Sequence, residues 1–176
     1  MLAKYIVKKI NTNASFSTKH IPTSAINLFK NSCYNKVDYK INKDSTAKEA
    51  VDRFTAFNVG CLAVTDNSNK VIGVLSERDY INKVASTNKS NELIKVGEIC
   101  SYGPIIVANS NDSLETCMSK MLFKDIRHLL ILDKTQECVG MISIKDLIKE
   151  IMKNKNETIT RLSFFNMGKG GFFGSE

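Results

Sequence analysis

One internal repeat governs what this chain can fold into. Residues 46–84, TAKEAVDRFTAFNVGCLAVTDNSNKVIGVLSERDYINKV, align without a gap on residues 113–151, SLETCMSKMLFKDIRHLLILDKTQECVGMISIKDLIKEI, at an offset of 67. Asp66 falls on Asp133, Gly73 on Gly140, Ser76 on Ser143 and Asp79 on Asp146. A small unit present twice usually cannot bury its apolar face alone. The two copies pack on each other, and pockets form at their seam.

Each copy reads as β-α-β-β-α. In the first, Val37–Ile41 is a short strand and Asp44-Ser45-Thr46 a helix start with hydroxyl caps. Ala47, Ala50, Val51, Phe54 and Phe57 follow helical spacing, and Asn58 and Gly60 stop the helix. Cys61–Thr65 and Val71–Leu75 are strands joined by the polar turn Asp66–Lys70, a hairpin pattern. Ser76 then opens a helix with Tyr80, Ile81 and Val84 on its apolar face. In the second copy the strand is Pro104–Val107 and the helix Leu114–Phe123, with Leu114, Cys117, Met118, Met121 and Leu122 apolar. The hairpin is His128–Leu132 with Cys138–Ile142, and the closing helix is Asp146–Met152. The fold class expected is α+β, two β-α-β-β-α repeats packed as a pseudo-twofold pair. The division expected is a leader at 1–24, repeat 1 at 25–86, a polar linker at 87–95, repeat 2 at 96–153 and a tail at 154–176. Residues 25–33 have room for one or two helical turns. The Phe pairs and glycines near the end of the tail suit either a docking segment or a frayed end.

Composition narrows the function classes. The formal charge of +7 suggests nucleic acid until its distribution is considered. The first acidic residue is Asp38, and Lys4, Lys8, Lys9, Lys19, Lys30 and Lys36 precede it unbalanced; +7 less those six leaves +1. The folded body therefore lacks the cations a phosphate backbone requires, and no nucleic-acid partner is expected. No run approaches the roughly 18–20 apolar residues of a membrane span, so a soluble protein without a membrane partner is expected. Residues 1–24 are basic, rich in hydroxyls and Asn, and free of acid. Leu2, Tyr5, Ile6 and Ile10 share one helical face beside Lys4 and Lys8, the pattern of a mitochondrial presequence or transit peptide, with Lys in place of the usual Arg. The competing reading is a disordered polar tail. A mitochondrial matrix location is expected, with the cytoplasm as the alternative.

Five cysteines, Cys33, Cys61, Cys100, Cys117 and Cys138, contain no C-x-x-C pair. They read as small buried hydrophobes in a reducing compartment, with Cys33 and Cys100 the better candidates for reactive thiols. Only two histidines are present and metal-ligand spacing is absent, so no metal site is expected. No nucleophile–base pair or carboxylate dyad stands out, so the chain does not read as an enzyme.

The recurrent local signal is Gly-x-x-Ser-x-x-Asp, at Gly73–Asp79 and Gly140–Asp146. Ser-x-x-Asp at a helix start is a capping box. The same residues at a strand-to-helix corner can hold a ligand instead. Glycine permits close approach, the helix N-terminus favours an anion, and the carboxylate accepts from sugar hydroxyls. The motif by itself leaves both readings open.

Taken together, NVGCLAVTD with GVLSERD, and IRHLLILD with GMISIKD, resemble a tandem cystathionine-β-synthase (CBS) domain pair, the Bateman module. The resemblance covers about residues 25–153, and the segments NVGCLAV, SERDYINKV, IRHLLILD and GMISIKDL especially resemble small stand-alone CBS-pair proteins, including mitochondrial ones of plants and their bacterial relatives. It implies regulation by an adenosine-containing ligand (AMP, ADP, ATP, NAD or an S-adenosyl compound) in the cleft between repeats, with no cofactor required. By that resemblance Ser76 and Asp79 hold one ribose and Ser143 and Asp146 the other. Tyr39 to Ile41 and Ile105 to Val107 border adenine, and Arg78, Arg127, His128 and Lys145 face phosphate. The copies differ where Gly60-Cys61 meets Arg127-His128 and where Arg78 meets Lys145, so unequal sites are expected. His128 can equally be a structural donor opening a buried strand, and Arg127 can face solvent. Two departures from relatives are Leu130, where many carry Pro, and Ile99-Cys100-Ser101, where Met-Thr is usual. The resemblance also implies a homodimer and an unidentified regulated protein. The alternative is an interaction adaptor, for example of a mitochondrial redox protein such as thioredoxin, with a vestigial nucleotide site.

Overall fold

The computed structural model describes residues 23–87 and 90–166. The expected leader up to residue 22 and the glycine-rich end of the tail, 167–176, lie outside the described residues. The architecture is α+β, as expected: two three-stranded sheets, each flanked by helices. The first sheet is β1 (Lys40–Asn42), β2 (Cys61–Thr65) and β3 (Val71–Ser76). The second is β4 (Val107–Asn109), β5 (His128–Leu132) and β6 (Cys138–Ser143). In both, the first strand runs parallel to the second and the second antiparallel to the third. The helices are α1 (Ala25–Asn31), α2 (Ala47–Phe57), α3 (Glu77–Tyr80), α4 (Val96–Ile99), α5 (Leu114–Phe123) and α6 (Ile144–Asn166). The last turn of α3 loosens into a π-type turn over Ile81–Ala85.

The 67-residue offset survives into backbone detail. The bulge between Val64 and Thr65 recurs between Ile131 and Leu132. Left-handed residues recur as Asn58 with Asp125 and Asn69 with Gln136. The hairpin turns are built alike: Asp66 Oδ1 accepts from the Ser68 and Lys70 amides, and Asp133 Oδ1 from those of Thr135 and Glu137. These carboxylates satisfy turn amides that the ladder leaves free. Helix starts agree too, since Thr46 Oγ1 caps Glu49 N and Ser113 Oγ caps Thr116 N.

The two halves exchange their leading segments. Helix α1 buries Ala25 and Leu28 against Leu129, Ile131, Ile142 and Leu147 of the second half. The Ala25 amide donates to the Asp112 carbonyl at 2.8 Å. Helix α4 does the converse, burying Val96 and Ile99 beside Ala50, Phe54, Leu62 and Val64. The Val96 and Gly97 amides bond the Ser45 and Lys43 carbonyls, each at 2.8 Å. Leu130 and Met141 of the second sheet also join the first core, so the sheets share a seam. Two residues expected in the leader are part of this framework: Ser24 bridges Ser113, and Thr23 Oγ1 donates to Glu150 at 3.2 Å.

Several expectations need correction. Strand β4 starts at Val107, not Pro104, because parallel pairing begins at Val107–Leu130 and Pro104 has no amide for a ladder. The strand expected at Val37–Ile41 is displaced to Lys40–Asn42 by pairing with Ala63 to Thr65. Ile81 and Leu122, placed on apolar helix faces, are 59% and 68% exposed. Helix α6 does not end at Met152. No Gly or Pro interrupts its sequence, and it continues to Asn166. None of the described helices is long and apolar enough to cross a membrane.

Candidate functional site

The seam holds a cavity of about 390 Å³ with contributions from both copies. The first copy supplies Ser76, Arg78 and Asp79 from the β3–α3 corner, and Cys61 and Val74 from its sheet. The exchanged segment after α4 supplies Ser101 to Ile106. The second copy supplies Asp125 to His128, with Leu130 and Met141 at the floor. Two guanidinium groups, one helix-capping carboxylate and an apolar wall thus converge on one concavity, the makeup of a small-molecule site.

The capping box and the candidate site are the same residues. Asp79 Oδ2 accepts from Ser76 N at 2.9 Å and Ser76 Oγ at 2.6 Å, while Ser76 Oγ accepts from Asp79 N at 3.3 Å. Its other oxygen takes the Ser101 hydroxyl at 2.9 Å and faces Lys83 Nζ at 3.3 Å. Burial alone would raise the carboxyl's pKa. The bonds from Ser76 and Ser101, with Lys83, overcome that and hold it below the usual range. Asp79 is therefore a fixed anion at the cavity edge.

The corresponding corner of the second copy is built alike and ends differently. Asp146 Oδ2 accepts from Ser143 N and Oγ, both at 2.7 Å, and from Ser32 Oγ at 3.0 Å. Ser32 thus reaches Asp146 from a leading segment as Ser101 reaches Asp79, but it bonds the oxygen that Ser143 already holds, whereas Ser101 bonds the other one. The residue two places on decides the outcome. After Ser101 it is Gly103, at φ 122° with open space where a Cβ would sit. After Ser32 it is Tyr34, 2% exposed, its ring edge-on to His128 at 5.8 Å and to Tyr39 at 6.3 Å. The remaining space beside it is about 220 Å³, lined by Cys33, Gly60, Glu77, Ser143 and Lys145 among others. Asp146, 6% exposed, does not line it.

The expected site residues therefore divide. Ser76, Arg78, Asp79, Ile105, Arg127 and His128 meet in the larger cavity. Ser143 and Lys145 line the smaller one, which Arg127 and His128 also border. Ile41 is 1% exposed within the core, and Tyr39 and Val107 pack against that core; none of the three lines either cavity. The cationic role expected of His128 is not available near neutral pH. Burial, reinforced by the Arg127 charge and opposed by Asp146, lowers its pKa to about 4. Charge for a phosphate is left to Arg78 and Arg127, both exposed at the rim. Residues not anticipated include Tyr102, Gly103, Asp125 and Ile126. Only the exchange of leading segments brings the first two there, and spacing within a repeat cannot reveal it. The cysteines are free: Cys61, Cys100 and Cys117 are buried, Cys138 is partly so and Cys33 is exposed. No group of His, Cys, Asp or Glu suited to a metal occurs among the described residues.

Comparison with known proteins agrees with this geometry. The CBS domain family model matches residues 35–86 and 96–153. The chain is 29% identical over 128 residues to the mitochondrial CBS domain-containing protein CBSX3 of Arabidopsis thaliana, covering 71% of this chain and 62% of that protein. The match thus spans less than two thirds of that relative's length. The structure superposes on a putative signal-transduction protein with CBS domains from Burkholderia ambifaria with a TM-score of 0.67 at 27% identity, covering 74% of this chain and 95% of that one. A CBS domain protein from Pyrobaculum aerophilum, solved in complex with AMP, matches with a TM-score of 0.55 at 26% identity, over 61% of this chain and 80% of that one. With both halves of the repeat matched and the fold shared, the chain belongs to the CBS domain family, as a protein carrying two repeats.

Proposed function

We propose that this chain is a non-catalytic regulatory module that binds one adenosine-containing ligand of the AMP, ADP, ATP or NAD type and signals to a partner protein. One observation carries the reading: the 390 Å³ seam cavity joins a preformed Ser76–Asp79 carboxylate cradle to Arg78 and Arg127 across an apolar wall of Ile105, Ile106 and Leu130. Asp79 and Ser76 suit a ribose, the arginines a phosphate, and the apolar wall a base. The AMP complex of the Pyrobaculum aerophilum relative supports the ligand class. The working division is a leader at 1–24, repeats at 25–86 and 96–153 with a linker at 87–95, and a tail from 154.

A thermal-shift series with AMP, ADP, ATP, NAD and S-adenosylmethionine tests the reading. A ligand at 100 times its Kd stabilises the fold by about 2.7 kcal/mol. The shift should vanish in Asp79→Ala. If no ligand raises the melting temperature, or Asp79→Ala keeps the whole shift, the reading fails.

Two further parts belong to the same proposal. The leader and the Arabidopsis relative support a mitochondrial location, which the mass of the mature N-terminus in cells would test. A homodimer is proposed on the exposed apolar surface of Leu122 and Phe123 on α5 and Ile148, Ile151 and Met152 on α6. Light scattering at micromolar concentration should give twice the chain mass, and Ile151→Glu should halve it. The second reading, an adaptor for a redox protein, draws on Ile159 and Leu162, exposed on α6 beyond the second repeat. Capture of a partner that depends on residues 157–176 but not on Asp79 would favour it.

A further inference from the structure

The segment that crosses between the two halves places an aromatic ring at the larger cavity. Tyr102 lines that cavity and is 56% exposed. Its hydroxyl bonds the Cys100 thiol, and the thiol donates in turn to the Gly97 carbonyl at 3.8 Å. The tip of the ring thus rests on α4, where residue 97 has no side chain. A Cβ there would meet the Tyr102 hydroxyl oxygen at 3.1 Å. The following residue, Gly103, leaves open space where its own Cβ would sit, so no side chain crowds the ring from that position. A tyrosine kept for packing is buried, as Tyr34 is at 2%. An exposed ring beside an apolar wall instead offers a face to whatever enters the cavity.

The fold itself makes this a lining position. The residue after the carboxylate-bonding serine lines its cavity in both halves: Cys33 after Ser32 in the smaller, Tyr102 after Ser101 in the larger. Only the larger cavity has an aromatic ring there.

We propose that Tyr102 selects a flat aromatic base at this site, leaving its rest on α4 to stack on the base and hold it against the apolar wall. Rotation of an exposed side chain takes picoseconds to nanoseconds, so the swing sets no barrier of its own. The inference rests on the ligand reading of this cavity and deepens it. Ser76, Asp79 and the arginines suit any ribose phosphate, and Tyr102 adds the preference for one that carries a base.

Isothermal titration with AMP on the full chain tests this, with thermal melts confirming the fold of each variant. Tyr102→Ala should weaken AMP by about 5- to 150-fold, the effect of removing one aromatic platform from a stacked base. Tyr102→Phe keeps the ring and loses the tie to Cys100, so it should bind AMP at least as tightly as wild type. The chain contains no Trp, so Tyr102→Trp carries a single tryptophan whose emission AMP should quench. Three results overturn the inference and leave the cavity reading standing: equal affinity in wild type and Tyr102→Ala, Tyr102→Phe as weak as Tyr102→Ala, or AMP bound by Tyr102→Trp with unchanged emission. No binding of AMP to wild type overturns the cavity reading, and this inference falls with it.

Discussion

Acid should weaken this fold well before its carboxylates titrate, and the cause is His128. Burial, reinforced by the Arg127 charge, holds the ring neutral, and its pKa falls from 6.5 to about 4. The unfolded chain therefore binds a proton near pH 6.5 that the folded chain accepts only near pH 4. Stability is complete above the unfolded value and declines as pH falls toward the folded one. From those two values the loss between pH 7 and pH 5 is about 2 kcal/mol, rising to about 3 kcal/mol by pH 4. In a chain of this size 2 kcal/mol corresponds to about 4–8 °C in melting temperature. Asp79, Asp112 and Asp133 all have lowered carboxyl pKa values, so their contribution is lost only below this window. Thermal melts at half-unit steps from pH 7.5 to 4.5, on wild type and His128→Phe, isolate the effect, because the variant retains His20. Wild type should lose the stated stability over pH 7 to 5, and the difference should disappear in the variant. Parallel curves for the two proteins would refute the assignment of a neutral, buried imidazole.

Three other perturbations follow from the geometry. Asp79→Ala removes one half of a capping box and should cost about 1 kcal/mol in urea unfolding, besides abolishing any AMP-induced shift. Gly73→Ala and Gly60→Ala should separate cleanly. A Cβ at Gly73 would sit 2.9 Å from the Ser101 carbonyl, which backbone pairing fixes, and overpacking there should cost about 1–3 kcal/mol. At Gly60 the nearest atom is the Glu77 carboxylate at 3.1 Å, on a side chain that can swing away, so the change should stay within about 0.5 kcal/mol. Lys120 ties the Asp112 carboxylate, at 2.6 Å, to the Val107 carbonyl, at 2.9 Å; Lys120→Met should cost about 1–3 kcal/mol by chemical denaturation and raise the Asp112 pKa seen by NMR.

Much of the fold was legible in the chain because its signals are local. The Thr46 cap, the Asn58 stop, the Asp66 and Asp133 turns and the hairpin strands each depend on a few adjacent residues. Helix ends were less legible: α6 passes Met152 because no residue there breaks it. Partner-dependent features were least legible. Ile41 and Val107 look like cavity residues by resemblance, but sheet pairing turns Ile41 into the core and leaves Val107 packed against it. Comparing Gly60-Cys61 with Arg127-His128 located a real inequality at the seam, where Arg127 borders both cavities, but caught only part of its nature. His128 carries no charge near neutral pH, and the residues that open one corner and close the other, Gly103 and Tyr34, precede their sheets. They lie outside the aligned residues 46–84 and 113–151 and could not be compared through them.

The exchange of leading segments also explains how a site in this fold can report its state. Were each repeat self-contained, Ser76, Asp79 and the apolar wall would belong to one rigid unit, and occupancy would change little elsewhere. Here Ser101 bonds Asp79 from a segment whose helix, α4, is packed in the first core, while the next residues run on into β4 of the second sheet. The stretch from Ser101 to Ile106 is therefore at once the cavity wall and the covalent link between the halves. Arg127 adds a second link, since it borders both cavities. A ligand that replaces Ser101 at Asp79 and draws Arg127 toward a phosphate acts on both links together. Its differential affinity for two settings of the seam is the only free energy available to shift them. Signalling in the proposed reading should thus depend on Ser101 more than a wall residue would. Ser101→Ala should leave the fold and the cavity in place, and change AMP affinity and the ligand-induced change in seam geometry by unequal amounts. Equal changes in both, measured by titration and by the distance between spin labels placed at Lys70 and Lys134, would show that the wall binds without coupling.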